Sequence, residues 1–252
     1  YELLEKPIGE YSPKEKDQWY RVLGRIDSIC NSTSKAKGRV LIDAEESWIQ
    51  DNIDIVAEDM MKKYNTKSAV VFTTVQLYRH DRLEYLQKLG EKAKTEGFKL
   101  GVKLVRGAYM EKERARAKKM GYASPIQPDK ESSDRDYNLA INHCLDNLEV
   151  FEIFAGTHNA ESTMTLCYEM EQRGLKNDDP RITFSQLLGM SDQITFNLAA
   201  LGYNVAKYVP YGPIREAMPY LIRRAKENTS VAGQTTRELR LIRKEVKRRS
   251  AK

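Results

Sequence analysis

The sequence predicts an α/β protein of the (βα)8 TIM-like barrel class, incomplete here, with about six βα units visible and the first two strands upstream. Three observations carry that prediction. Short β-branched runs alternate with longer charged stretches of helical period. No glycine-rich phosphate fingerprint follows the first strand, as a doubly wound dinucleotide fold would require. Polar residues gather where every strand ends, as they do when parallel strands converge on one mouth.

The elements follow in chain order. The first 38 residues read as a loop and one helix, "SPKEKDQWYRVLGRIDSIC", entering the strand "RVLIDAE" at 39–45. The helix "DNIDIVAEDMMKKY" leads to the strand "SAVVFTTVQ" at 68–76, and "DRLEYLQKLGEKAKTEG" follows, stopping at Gly97 as a C-cap. Strands "LGVKLVRGAY" (100–109) and "FEIFAGTHN" (151–159) come next, then the helix "NAESTMTLCYEMEQRGL", which stops at Gly174. "RITFSQLL" (181–188) and "VAKYVPYG" (205–212) complete the six. Nearly continuous apolar strands separated by helices imply parallel strands buried on both faces.

Composition narrows the function classes. Of 252 residues 40% are hydrophobic, and no run approaches the roughly 18 apolar residues of a membrane-spanning helix. The opening "YELLEKPIGEYSPKEKD" is no signal peptide. Cys30, Cys144 and Cys167 are odd in number, widely spaced and without CxxC spacing. They read as free thiols in a reducing compartment, with neither a zinc site nor a disulfide framework.

The net charge of +6 belongs to the stretch from Arg237 to Lys252, where eight basic residues meet two acidic ones. The chain therefore divides into an N-terminal loop and helix (1–38), a barrel (39–236) and a basic C-terminal helix or tail (237–252). The tail suits either a solvated helix or an anionic membrane surface. Nucleic acid is disfavoured, since no interleaved aromatics accompany the charge.

The chemistry is first one of absences: no GxSxG elbow, HExxH or DxDxD occurs. His80, at a helix start, and His143, mid-helix, read as structural. His158 lies between a strand and a helix, so it faces the mouth. With Thr157 and Asn159 it offers donors near a helix N-terminus, a cradle for phosphate. The strand-end polar set comprises Asp43, Glu45, Thr74, Gln76, Arg106, Tyr109, Ser185, Gln186, Tyr208 and Tyr211.

In "GVKLVRGAYMEKERARA", Lys103 and Arg106 face opposite sides of a strand unless Gly107 bends it. Basic groups there stabilise negative charge developing on an electron-accepting ring, or else pair with Asp43 or Glu45. Near the C-terminus, Tyr220, Arg224 and Glu227 share a helix stripe with Arg223 alongside. Paired guanidiniums grip a carboxylate, Glu227 holds one of them, and Tyr208 and Tyr220 wall a small apolar ring. That describes a pocket for a small amino or imino acid; the other reading is a solvated helix face.

"KLVRGAYMEKERARAKKMGYASPI", "GTHNAEST", "FSQLLGMSDQI" and "YVPYGPIREAMPYLIRRAKEN" together resemble proline dehydrogenase, from about Arg39 to about Thr236. The likeness is to the branch shared by mitochondrial and single-function bacterial enzymes. It implies a flavoprotein with a distorted (βα)8 barrel that oxidises L-proline to Δ1-pyrroline-5-carboxylate. A hydride would pass from C5 to FAD N5, and electrons then to a quinone at a membrane. The setting would be the mitochondrial inner membrane, or the cytoplasmic face of a bacterial inner membrane.

The resemblance further implies that Arg223 and Arg224 hold the proline carboxylate, braced by Glu227 with Asp43 beneath. Tyr208, Tyr220 and Leu187 would enclose the ring. Gln76, Lys103, Val105, Arg106, Gly107, Ala108, Thr157, His158 and Asn159 match flavin-contacting stretches, and Tyr109 and Met110 line the pocket and the isoalloxazine edge. Many bifunctional members carry arginine at the place of Lys103 and lysine at that of Arg106. The family's upstream strand with a substrate-contacting lysine has no counterpart before Arg39. Two further readings remain: hydroxyproline oxidation, in a branch with a smaller polar residue at the place of Tyr208, and a catalytically incomplete barrel fragment.

Overall fold

A computed structural model of the chain describes residues 2–215, 217–222 and 234–250. Helix α1 (Pro13–Lys35) begins where local chemistry permits. Ser12 and Glu15 form a reciprocal capping box, and Pro13 occupies a position whose N–H has no helical partner. Then come β1 (Val40–Ile42), α2 (Ser47–Tyr64), β2 (Val71–Gln76), α3 (Arg82–Glu96) and β3 (Leu100–Val105). Two consecutive helices, α4 (Met110–Met120) and α5 (Lys130–Leu145), lead to β4 (Phe151–Gly156). The remaining elements are α6 (Ala160–Gln172), β5 (Ile182–Leu187), α7 (Asp192–Ala200), β6 (Val205–Tyr208) and a C-terminal helix, α8 (Gln234–Ser250). Residues 214–215 and 217–222 are also helical.

All six strands pair in parallel and in sequence order, β1-β2-β3-β4-β5-β6. Alternation sorts their side chains. Val71, Val75, Val102, Leu104, Ile153, Ala155, Ile182 and Phe184 join the core shared with the outer helices. The alternate set, including Phe72, Thr74, Lys103, Phe154 and Ser185, faces the other way. The sheet is strongly curved around that second face. Arg39, just before β1, donates to the Pro180 carbonyl at 2.7 Å and to Thr183 Oγ1 at 3.4 Å. In a flat sheet β5 would stand about 19 Å from β1. Phe72 of β2 also meets Phe154 of β4 edge-on at 5.1 Å, over Gly101 of β3. A Cβ on Gly101 would lie 2.6 Å from the Phe72 ring, so only glycine fits beneath that pair. The curved parallel wall with helices outside is of the (βα)8 barrel class.

The strands are shorter than the sequence reading, mostly at their C-terminal ends. β3 stops at Val105 rather than 109, β4 at Gly156 rather than 159, and β6 at Tyr208 rather than 212. The polar and glycine-bearing residues that extended those predictions leave the ladder to form loops. His80 lies in the turn before α3, not in the helix, and its backbone N–H binds the Pro125 carbonyl. His143 is structural, its ring edge-on to Phe151 at 5.5 Å, with burial lowering its basicity. Gly97 and Gly174 take left-handed conformations just past α3 and α6. Among the described residues no helix is long and apolar enough to cross a membrane.

Candidate functional site

The C-terminal ends of all six strands open on a single cavity of about 330 Å³, within the range of small-molecule sites. β1 contributes Asp43, Ala44 and Glu45 from its trailing loop, β2 Thr74, and β3 Lys103 and Val105. Arg106, Ala108 and Tyr109 line it from the following loop. Gly156, Thr157 and His158 come from β4, Ser185, Gln186 and Leu187 from β5, and Tyr208 from β6. Tyr220 closes the set.

The floor is an ion pair. The Lys103 ammonium stands 2.5 Å from Asp43 Oδ1, and Thr74 Oγ1 lies 3.4 Å from the same oxygen. The ammonium is also 5.7 Å from the Tyr208 ring centroid, and Tyr208 and Tyr220 tilt against each other at 5.7 Å. A cation, a carboxylate and two aromatic faces thus enclose one side of the cavity. Lys103 faces inward because strand alternation places it opposite Val102 and Leu104, which join the core.

Arg106 stands beyond the end of β3, lines the cavity and turns its guanidinium toward α5 and α6. Its guanidinium binds Asp134 of α5, Thr157 Oγ1 at 2.7 Å and Ser162 Oγ at 3.1 Å, and stacks 4.0 Å over the Tyr137 ring. The two basic residues therefore part company: Lys103 pairs with Asp43, whereas Arg106 pairs with neither Asp43 nor Glu45 but ties three elements together. Gly107 supplies the bend at φ 79°, and Tyr109 adopts φ 50°, a left-handed conformation costly for a residue with a Cβ. The Tyr109 hydroxyl donates to the Glu45 carboxylate.

The loop after β4 is equally ordered. His158 Nδ1 and Ser191 Oγ lie 3.1 Å apart, bridging to the start of α7. The Asn159 side-chain oxygen caps α6, accepting from Glu161 N at 2.8 Å and Ser162 N at 3.2 Å. Those first-turn amides are thereby committed, so the helix N-terminus is a narrower anion cradle than the sequence suggested. Thr157 and His158 face the cavity; Asn159 does not line it.

Gln76, Gly107 and Met110 also stand outside the lining. The buried Gln76 amide donates to the Glu45 carbonyl at 2.6 Å and lies 2.9 Å from the Tyr78 hydroxyl. Tyr211, from the strand-end set, is fully exposed. Arg223, Arg224 and Glu227 lie outside the described residues. Sequence reasoning missed Asp134, Tyr137 and Ser162 around Arg106, and Ser191 beside His158. No local signal marks them, because each partner lies 28 to 56 residues away in the chain.

Residues 3–237 match the family model described as Proline dehydrogenase. The chain is 38% identical over 249 residues to "Proline dehydrogenase 1, mitochondrial" of Homo sapiens, covering 98% of this chain and 42% of that protein. It is 36% identical over 256 residues to the Drosophila melanogaster protein of the same name, covering 98% and 38%. It is 37% identical over 229 residues to "Hydroxyproline dehydrogenase" of Xenopus laevis, covering 89% and 49%. The chain spans about two fifths to one half of the length of these relatives. Among solved structures, proline utilization A (PutA) from Bdellovibrio bacteriovorus superposes with a TM-score of 0.79 at 24% identity, covering 86% of this chain and 22% of that one. That likeness speaks to fold alone.

Proposed function

This chain belongs to the proline dehydrogenase family, and from that premise we propose that its mouth binds L-proline beside FAD and catalyses oxidation to Δ1-pyrroline-5-carboxylate, the electrons passing to a quinone. The observation that carries the reading is the Lys103–Asp43 pair beneath the Tyr208 and Tyr220 rings, at the strand ends where barrel chemistry collects.

The residues present fit a flavin. Val105, Ala108 and Gly156 line the cavity with small or apolar surface. A Cβ on Gly156 would lie 3.1 Å from the Leu104 carbonyl and 3.2 Å from Val105 Cγ1, so glycine suits this close approach to β3 at the cavity wall. Lys103, Val105, Ala108, Thr157 and His158 would hold the cofactor, while Arg106 would act from behind them by fixing Thr157. FAD, when bound, supplies the two-electron acceptor that no side chain provides.

The protein's share is orientation and electrostatics. Tyr208, Tyr220 and Leu187 wall the apolar ring of the substrate and exclude water from it. Arg223 and Arg224, assigned by the family resemblance, grip the carboxylate and turn the far side of the ring toward the acceptor. The amine must be free of its proton for electrons to leave the adjacent carbon. The Lys103 ammonium, held by Asp43, places positive charge where negative charge develops. Tyr208 keeps the pocket snug against a ring without a hydroxyl, which favours proline over hydroxyproline.

The setting we propose is the surface of an inner membrane, mitochondrial as in the named relatives. On α8, Leu239, Ile242 and Val246 are exposed beside Arg243, Lys247 and Arg249, a combination suited to an anionic lipid surface.

Proline-dependent dye reduction by the FAD-loaded protein tests this reading, with Arg223→Ala and Arg224→Lys as variants. Replacing the planar fork by a point charge should lower kcat/KM about 10- to 150-fold. No turnover in the loaded parent, or unchanged kcat/KM in both variants, would overturn it.

A further inference from the structure

Helix α4 is anchored in an unusual way. All of it is described, and its buried residues are Glu113 and Ala117, so it has almost no apolar face to set against the barrel. Glycines in left-handed conformations bound it, Gly107 at φ 79° and Gly121 at φ 76°. Its sequence is "MEKERARAKKM", which by itself reads as a solvated helix.

One face of this segment nevertheless meets mainly one stretch of chain, with Arg116 also reaching Glu5 at 3.5 Å. Tyr109, Lys112, Glu113 and Arg116 recur at helical spacing, and all four reach residues 45–48 at the head of α2. Glu113 is 1% exposed. It accepts from the Ser47 backbone N–H at 2.6 Å and from Ser47 Oγ at 2.7 Å. α2 needs such a partner: its N-cap, Glu46, makes no side-chain cap of its own, and its first turn holds no acidic residue. Lys112 pairs with Glu46, and the Arg116 guanidinium lies 4.2 Å over the Trp48 ring.

We propose that Glu113 is a positioning residue: by capping helix α2 from outside, it latches α4 against the β1–α2 loop and holds Tyr109 at the edge of the mouth. The latch joins the two loops that carry Asp43–Glu45 and Ala108–Tyr109, so it sets the width of one side of the cavity. Its burial is not explained by core packing, because no apolar layer surrounds it on α4. At Glu113 itself the contact is two hydrogen bonds to one serine rather than a charge pair, and the Lys112–Glu46 pair stands beside it. The latch itself does not depend on what the mouth binds; its effect on turnover rests on the proline reading.

Amide hydrogen exchange on the full chain tests the latch without substrate. Glu113→Ala should accelerate exchange across 110–120 about 10- to 100-fold while the six strands keep their protection. Glu113→Gln retains an acceptor for Ser47 N–H and a donor for Ser47 Oγ, so it should restore most of the protection. Ser47→Ala removes only the hydroxyl partner; it should loosen the same segment less, and it keeps the test open if Glu113→Ala fails to fold. With proline, the alanine variant should raise KM several-fold at unchanged kcat. Unchanged exchange in 110–120, acceleration spread through the strands, or a glutamine variant as open as alanine would each overturn the latch. Local opening with no proline turnover even in the parent would leave the latch standing and sink the substrate reading instead.

Discussion

Lys103 of β3 and Asp43, just past β1, meet at 2.5 Å across the mouth, although strand β2 and 60 residues of chain separate them. Lys103 is largely enclosed there, whereas Asp43 is half-exposed, so the pair serves the cavity rather than the stability of the barrel.

Lys103→Met keeps the side chain's length and removes its charge. Proline-dependent turnover should fall about 100- to 1,000-fold, the usual loss when one preorganised stabilising group is removed. Asp43→Asn should change stability by less than about 1 kcal/mol. Steady-state kinetics and denaturant melts check both, and full turnover in Lys103→Met would show the ammonium to be a bystander.

Tyr208 presents its ring to both Lys103 and Tyr220. Tyr208→Ser removes an aromatic pair worth about 0.5–1.5 kcal/mol beyond its area and opens polar space beside the substrate ring. KM for proline should rise roughly tenfold, and the ratio of kcat/KM for hydroxyproline to that for proline should increase. An unchanged ratio would remove Tyr208 from the specificity wall.

His158 is tied to Ser191 and faces the cavity from the β4 loop. His158→Ala should lower the FAD content of the purified protein while KM for proline in the loaded fraction stays within about twofold, since the cofactor stretch and the carboxylate grip lie on different elements. Absorbance near 450 nm per chain gives the occupancy. A steep rise in KM at full occupancy would assign His158 to the substrate instead.

Acid should loosen the start of α1. Lys6 and the Ser12 backbone N–H hold the Glu15 carboxyl down at about 2 against its ordinary 4.5. A depressed carboxyl favours the folded state above its unfolded value. That contribution is present above about pH 4.5 and is lost as pH falls toward 2. Glu15→Gln should therefore flatten the helix-melting profile of α1 between those limits, as followed by amide exchange or carboxyl NMR. An unaltered acid profile would show that the capping box carries no linkage.

Much of this was legible in the residues themselves. β-branched runs of strand length between helical stretches point to parallel strands covered by helices, and β2 to β5 are buried along most of their length, whereas the edge strands β1 and β6 are only partly so. Gly97 and Gly174 stop their helices for a reason local to the chain, their ready access to left-handed backbone. Polar strand ends point to one mouth because a parallel sheet carries all its C-terminal ends on one side.

Tertiary structure decided what the side chains at that mouth do. Lys103 and Arg106 are alike in sequence, yet one turns to Asp43 and the other to Asp134, a difference set by strand alternation, the Gly107 bend and the placement of α5. Asn159 looked like a ligand donor and instead caps its own helix. Glu113 carried no signal at all within a run of surface charges, since its partner Ser47 lies 66 residues away. Local periodicity encodes elements, because each is stabilised by neighbours in the chain. Pairings between charged side chains across elements depend on which faces the curved sheet brings within hydrogen-bond reach, and only the curvature of the wall sets that distance.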